Sequence, residues 1–187
     1  KTVAEFIAYV KANPGKVNYA SPGNGSPHHL ALAMVKNRTR TFLVHIPYRG
    51  AAPAMQDVIA GQVPVMFLDL ASGLPIMQSG KVRVLAYGGK AGTPLLPGVP
   101  TLIDENVRDV EVFAVQGLLG PTGMPPATVQ RLNAELNKAL GDTTVLKRFL
   151  DFGMETMPGT PEQFRAFART EAQRWGPIIR DNRITLD

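Results

Sequence analysis

The chain has 187 residues, with 20 Lys and Arg against 15 Asp and Glu for a formal net charge of +5. With 44% hydrophobic and 19% charged residues it has the composition of a folded globular chain rather than a disordered one, and its length suits one domain or two small lobes. Cysteine is absent, which excludes a disulfide framework, a thiolate nucleophile and a cysteine zinc site.

Lys1-Thr2-Val3-Ala4-Glu5 reads as a helix start, with Thr2 as N-cap and Glu5 as its capping-box partner, and the helix runs to residue 12 before Asn13-Pro14-Gly15. A short strand is expected over 16–20, a Gly-rich loop after it, and a helix over 28–36 with few polar positions. Residues 42–48 read as a strand, 53–60 as a helix stopped by Gly61, and 63–68 as an almost wholly apolar strand. A helix over 72–78 ends at Gly80, and a further strand is expected over 82–87. Strands without polar alternation, separated by helix-length segments, imply an α/β lobe whose sheet is covered on both faces.

Residues 88–100 carry too many Gly and Pro for regular structure and form an ordered surface loop. A long strand is expected over 110–120, and only helices after it. Val129, Leu132, Leu136 and Leu140 form one apolar stripe; Val145, Phe149 and Phe152 form another, closed by Gly153. The last helix has the clearest start, Thr160-Pro161-Glu162-Gln163. Three amphipathic helices after one strand require a surface to cover, so a partner is expected from residues outside this chain or from a second copy.

A pI near 9.7 raises nucleic acid as a partner, but only residues 36–40 cluster basic side chains, and the 7% aromatics do not interleave with them. Nucleic-acid binding is therefore not expected, whereas attraction of a small anion is. The first residues do not pair a basic segment with an apolar one, and no run of 18 apolar residues occurs, so neither a signal peptide nor a membrane span is expected in the chain as it stands.

The most informative stretch is Tyr19-Ala20-Ser21-Pro22-Gly23-Asn24-Gly25-Ser26-Pro27-His28-His29-Leu30, which follows a strand and opens a helix. Ser26 is placed as N-cap and Pro27 at the first helical position, so backbone N–H groups point out of a helix end that favours an anion. It is neither a P-loop nor a dinucleotide fingerprint, since no Gly-Lys-Ser/Thr follows and His28 stands where the third Gly belongs. A plain strand-to-helix turn explains the same residues. Two more loops fall at strand C-termini, where open α/β sheets bind ligands: Pro47-Tyr48-Arg49-Gly50-Ala51-Ala52-Pro53, and Leu68-Asp69-Leu70-Ala71-Ser72-Gly73, in which Asp69 or Ser72 caps the next helix.

A hydrolase or transferase using Ser26 and His29 is the alternative from another class. The nucleophile elbow is absent, however, and a capping Ser has its oxygen committed. His28 and His29 lie on different helix faces, and His45 sits in a strand, so no metal site is expected. No motif asks for a cofactor.

Ala12-Asn13-Pro14-Gly15-Lys16-Val17-Asn18-Tyr19-Ala20-Ser21, Gly25-Ser26 with His29-Leu30, Pro47-Tyr48-Arg49-Gly50, Gly61-Gln62-Val63, Ser79-Gly80-Lys81-Val82-Arg83-Val84-Leu85-Ala86 and Leu96-Pro97-Gly98-Val99-Pro100-Thr101 stand in order along the chain. Gly120-Pro121-Thr122-Gly123-Met124-Pro125, Arg131-Leu132-Asn133, Thr160-Pro161-Glu162-Gln163-Phe164 and the Glu171–Trp175 spacing follow them. Together they resemble Bug-type extracytoplasmic solute receptors, the substrate-binding proteins of tripartite tricarboxylate transporters. The resemblance covers essentially the whole chain, with departures at Leu68, where an Asp is usual, and Val115, where a Trp is usual.

The resemblance implies a two-lobed periplasmic-binding-protein fold of the Venus-flytrap type, a periplasmic location, no catalysis, and capture of a small mono- or dicarboxylate for delivery to membrane transporter subunits. It implies that residues 1–115 are the second lobe and that 116–187, a crossover strand and C-terminal helices, return to a first lobe whose N-terminal part is absent. The chain is thus expected to be a fragment, with self-association through its uncovered helices. The ligand-binding residues implied are Ser21, Gly23, Asn24, Gly25, Ser26, His29, Tyr48, Asp69 and Ser72. A regulatory ligand-binding module sharing this fold is a further alternative.

Overall fold

A computed structural model describes residues 1–186, which fall into two compact units, Lys1–Ala114 with the chain from Pro177 onward, and Val115–Gly176.

In the first unit, helix α1 (Val3–Ala12) starts at the capping box of Thr2 and Glu5 and buries Val3 and Val10. Strand β1 (Asn18–Ser21) is central to a three-stranded parallel sheet of order β2-β1-β3, pairing with β2 (Val44–Pro47) and β3 (Val65–Met66). Because side chains alternate across a strand, Ala20 faces one layer and Tyr19 and Ser21 the other. Ala20 packs with Ala54 of helix α3 (Ala51–Ile59) and with Val63, whereas Tyr19 packs with His29 of helix α2 (Pro27–Thr39). A helix thus covers each face of β1, and Tyr19, Ala20 and Ser21 are wholly buried.

Five successive residues of α2, Ala31 to Val35, are buried, so the middle of this helix is enclosed on all sides. Fully buried Val10 and Leu43 each stabilise the unit by about 1.5–3 kcal/mol. Helix α4 (Leu70–Gln78) follows β3 directly, capped by Asp69.

Two expected strands do not form among the described residues. Of 82–87 only Tyr87 bridges another segment, at Thr101, with Tyr87 N–H on the Pro100 carbonyl at 2.8 Å and Leu102 N–H on the Tyr87 carbonyl at 2.9 Å. Residues 110–120 run without helix or strand, joined to other backbone through Val112 N–H on the Gly88 carbonyl. Both segments have the right local composition, but a strand exists only where a neighbour accepts its ladder, and no neighbouring strand accepts theirs.

The second unit is helical. It holds α5 (Pro126–Leu140), α6 (Thr143–Asp151) and the first part of α7 (Pro161–Asp181). Thr160 and Gln163 close the expected capping box, with Thr160 N–H on Gln163 Oε1 at 2.8 Å and Gln163 N–H on Thr160 Oγ1 at 3.2 Å. Asn137 of α5 grips the Gly159 peptide from both sides, donating to its carbonyl at 2.9 Å and accepting from its N–H at 3.0 Å. Asn133 adds a second donor to the same carbonyl. Glu171 accepts from Trp175 Nε1 at 2.9 Å and pairs with Arg174. None of the described residues of α5, α6 and α7 is buried, and Leu118, Leu119, Leu132 and Leu150 are exposed.

Candidate functional site

All three strands of the first unit are parallel, so the loops after β1, β2 and β3 emerge at one edge of the sheet. The β1–α2 loop is the most tightly built. Ser21 Oγ donates to the Gly23 carbonyl at 3.0 Å, accepts from the Gly23 N–H at 3.2 Å, and lies 2.6 Å from His45 Nε2. With the hydroxyl proton on Gly23, His45 Nε2 is the donor of the last contact.

Ser26 caps α2, accepting from His29 N–H at 3.3 Å and donating to the Gly23 carbonyl at 2.8 Å. Gly25 adopts φ +69°, a left-handed conformation that glycine tolerates, and its N–H donates to His29 Nδ1 at 3.2 Å. Both serine hydroxyls are therefore spent holding the loop. What the loop leaves outward are the backbone N–H groups of Asn24 and His28, which find no acceptor among the described residues.

The β2–α3 loop is stitched to the first one, with Tyr48 N–H on the Ser21 carbonyl at 2.9 Å and Gly50 N–H on the Pro22 carbonyl at 3.0 Å. The Tyr48 phenol donates to Asp57 at 2.6 Å, and this bond, with burial and the carboxylate charge, raises its pKa above the ordinary value. Tyr48 thus positions the loop through its backbone while its hydroxyl is engaged by its own helix.

In the β3–α4 loop, Asp69 accepts from Ser72 N–H and Ser72 Oγ, both at 2.8 Å, and from His28 Nε2 at 3.0 Å. Burial works to raise the Asp69 pKa, but the Ser72 and His28 hydrogen bonds outweigh it and hold the carboxyl below its ordinary value. His28 was not among the expected site residues, yet it is the side chain that ties the β1–α2 loop to the β3–α4 loop. Its signal in the sequence was its place beside His29 in the first turn of α2, pointing to a different face.

Behind the loop, His29 and His45 stack with ring centroids 3.7 Å apart, and Tyr19 stacks on His45 at 4.8 Å. Burial and the nearby Lys36 lower the His29 pKa; burial, then His29 and Lys36, lower that of His45 to about 4. Both imidazoles are neutral at pH 7.

No imidazole nitrogen reaches Ser26 Oγ, and the serine that does meet a histidine, Ser21, is wholly buried. The geometry of a nucleophile with its base is missing at Ser26. Among the described residues no group of three or more His, Asp or Glu is placed to hold a metal ion.

The chain is similar to known proteins along its length. The family described as "Tripartite tricarboxylate transporter family receptor" matches residues 1–184. A protein encoded in the tcbD-tcbE intergenic region of Pseudomonas sp. strain P51 is 34% identical over all of this chain and 56% of its own length. Protein BugT of Bordetella pertussis is 31% identical over 97% of this chain and 56% of its own. Among solved structures, an R. palustris protein with adipate superposes with a TM-score of 0.90 at 26% identity, covering 98% of this chain and 62% of that one. MatC from Rhodopseudomonas palustris with bound malate superposes with a TM-score of 0.81 at 27% identity, covering 97% and 62%. The chain spans little more than half the length of these two curated relatives.

Proposed function

Because the chain belongs to the tripartite tricarboxylate transporter receptor family, we propose that it is part of a periplasmic solute receptor that captures a small carboxylate and passes it to the membrane subunits of such a transporter. The observation that carries this reading is the β1–α2 loop, whose free Asn24 and His28 N–H groups stand at the ligand-binding edge of a parallel sheet. The ligands named for two structural relatives, adipate and malate, are both dicarboxylates, which supports that ligand class. On this reading the carboxylate is held by backbone N–H groups and the Asn24 side chain, with Gly23 and Gly25 allowing close approach, while Ser21, Ser26, His29, Tyr48, Asp69 and Ser72 fix the loops. Ser21 and Ser26, expected among the ligand-binding residues, thus act through the loop rather than through their hydroxyls, which are occupied.

Residues 1–115 form one wall of the cleft in this account and 116–176 belong to the other lobe, while the chain from Pro177 onward falls back into the first unit. The protein is a receptor and not an enzyme. Among the described residues no helix is long and apolar enough to cross a membrane. The exposed apolar side chains of α5, α6 and their approach drive self-association of this chain; light scattering at rising concentration would detect it, and a monodisperse monomer would contradict it. The carboxylate reading is tested by calorimetry of the intact receptor against mono- and dicarboxylates. Saturable binding of one of them, weakened by Ser26→Leu, is expected; unchanged affinity in that variant contradicts the placement of the ligand on this loop.

A further inference from the structure

The first unit holds a cavity of about 290 Å³ whose lining is basic and amide in character: Tyr19, His29, Lys36 and His45 from one side, Asn182 and Arg183 from the other. Asn24 completes the rim. Among the described residues, no Asp or Glu lines it. Several carboxylates of the first unit are engaged elsewhere: Glu5 by the N-terminus, Asp57 by Tyr48, Asp69 by His28 and Ser72, Asp104 by Thr101, and Asp109 by Arg38. Lys36 lies over the rings of Tyr19 and Phe42, at 5.5 and 5.9 Å, and neither it nor Arg183 has an acidic partner among the described residues.

At the wall of this cavity stands a donor without an acceptor. Tyr19 is wholly buried, and its hydroxyl has no hydrogen-bond partner among the described residues. Buried hydroxyls are normally satisfied, and one left unpaired beside a basic cavity is placed to donate to something that occupies it. His29 accepts from Gly25 through Nδ1, which leaves Nε2 as its N–H donor. A phenol, an imidazole N–H, an ammonium, a guanidinium and the Asn24 carboxamide surround one space, with Asn182 already donating to the Ile178 carbonyl, and form a donor set with no competing acid among the described residues.

We propose that this cavity is a second ligand site adjoining the carboxylate loop, and that it takes a small oxyanion, held by Lys36 and Arg183 as counter-charges and by the Tyr19 hydroxyl as a directed donor. It shares Asn24 and His29 with the β1–α2 loop but draws its charge from α2 and from the segment after α7. An anion there ties residues 182–185 to the sheet, so its binding is coupled to the seating of that segment.

The test is calorimetric titration of this chain at pH 7 and constant ionic strength with inorganic phosphate, sulfate and adipate as separate arms, and chloride as the reference. Saturable one-to-one binding of at least one of the three is expected. Lys36→Met, which keeps the buried stem and removes the charge, should weaken it by roughly tenfold or more, and Tyr19→Phe, which removes the unpaired hydroxyl and keeps the ring stack, by several-fold. The arm whose binding is lost in Lys36→Met identifies the oxyanion. In the wild-type chain, proton NMR should show the His45 imidazole titrating at higher pH when the anion is present, a readout that needs no variant. Absence of saturable binding in all three arms, or affinity that survives both Lys36→Met and Tyr19→Phe, overturns the proposal.

Discussion

Replacing Asp69 by Ala removes three interactions from one carboxylate: the cap on α4 through Ser72 N–H, the bond from Ser72 Oγ, and the bond from His28 Nε2. Loss of an N-cap costs about 1 kcal/mol, and loss of a hydrogen bond to a charged acceptor about 1.5–3 kcal/mol where the group is buried. The Asp69 side chain is 35% exposed and that of His28 15%, so the second contribution is reduced by solvent, and a total of about 2–3 kcal/mol is expected. The His28 side is the more sensitive. Its Nδ1 is already buried without a partner, and the variant leaves both ring nitrogens unpaired. Urea unfolding of the wild-type chain and of Asp69→Ala and Asp69→Asn distinguishes the parts: Asn still caps α4 and should recover about half of the loss, while Ala should not. If Asp69→Ala costs less than about 0.5 kcal/mol, the tie between the two loops contributes nothing measurable and the reasoning fails.

Further consequences concern pH, the second unit and the loop backbone. His45 titrates near 4 in the folded chain, below its ordinary value, so the unfolded chain binds the extra proton first. Stability should fall as pH drops from about 6.5 to about 4, by at most roughly 1.4 kcal/mol per pH unit for this group, and His45→Gln should flatten the slope measured by urea unfolding. Asp69 acts lower on the scale: its depressed pKa contributes stability above about 4 that is lost as pH falls through the folded value, and Asp69→Asn should remove that dependence. Asn137→Ala leaves both polar groups of the Gly159 peptide without their Asn137 partner, and should destabilise the second unit by about 1–3 kcal/mol in thermal unfolding while leaving the first unit's transition in place. Gly50 has φ +112° with open space around its missing Cβ, so Gly50→Ala should cost about 1–2 kcal/mol from backbone strain alone; a neutral result would mean that the loop relaxes.

The helices were legible in the sequence because their signals are local. Thr2 with Glu5, Ser26 before Pro27, and Thr160 with Gln163 all cap as their spacing predicts, since a cap involves residues three or four apart. Strands were legible only where a neighbour exists. Val82 to Tyr87 and Val110 to Gly120 have apolar, β-branched character, but whether another strand lies beside them is not a property of their own residues. At the site, the three loops were placed by Gly, Pro and Ser, yet the fate of each side chain depended on long-range packing. Ser21 is consumed by His45, which is 24 residues away in sequence, and His28 by Asp69, which is 41 away. The stack of Tyr19, His29 and His45 follows from the register that sets Tyr19 opposite His45 and from the face that α2 turns to the sheet, neither of which periodicity reveals.

The central claim is that the β1–α2 loop holds a carboxylate through backbone N–H groups at the start of α2, with Ser26 as the cap that keeps them in place. The most direct measurement is calorimetry of the intact receptor with adipate or malate in two variants that preserve the cap but differ in charge. Ser26→Asn should bind within a few-fold of wild type, whereas Ser26→Asp, which caps α2 equally well but sets a negative charge beside the ligand, should weaken binding by roughly tenfold or more. Equal affinity for the two variants would contradict the account, because a carboxylate held at this loop cannot be indifferent to a like charge at its cap.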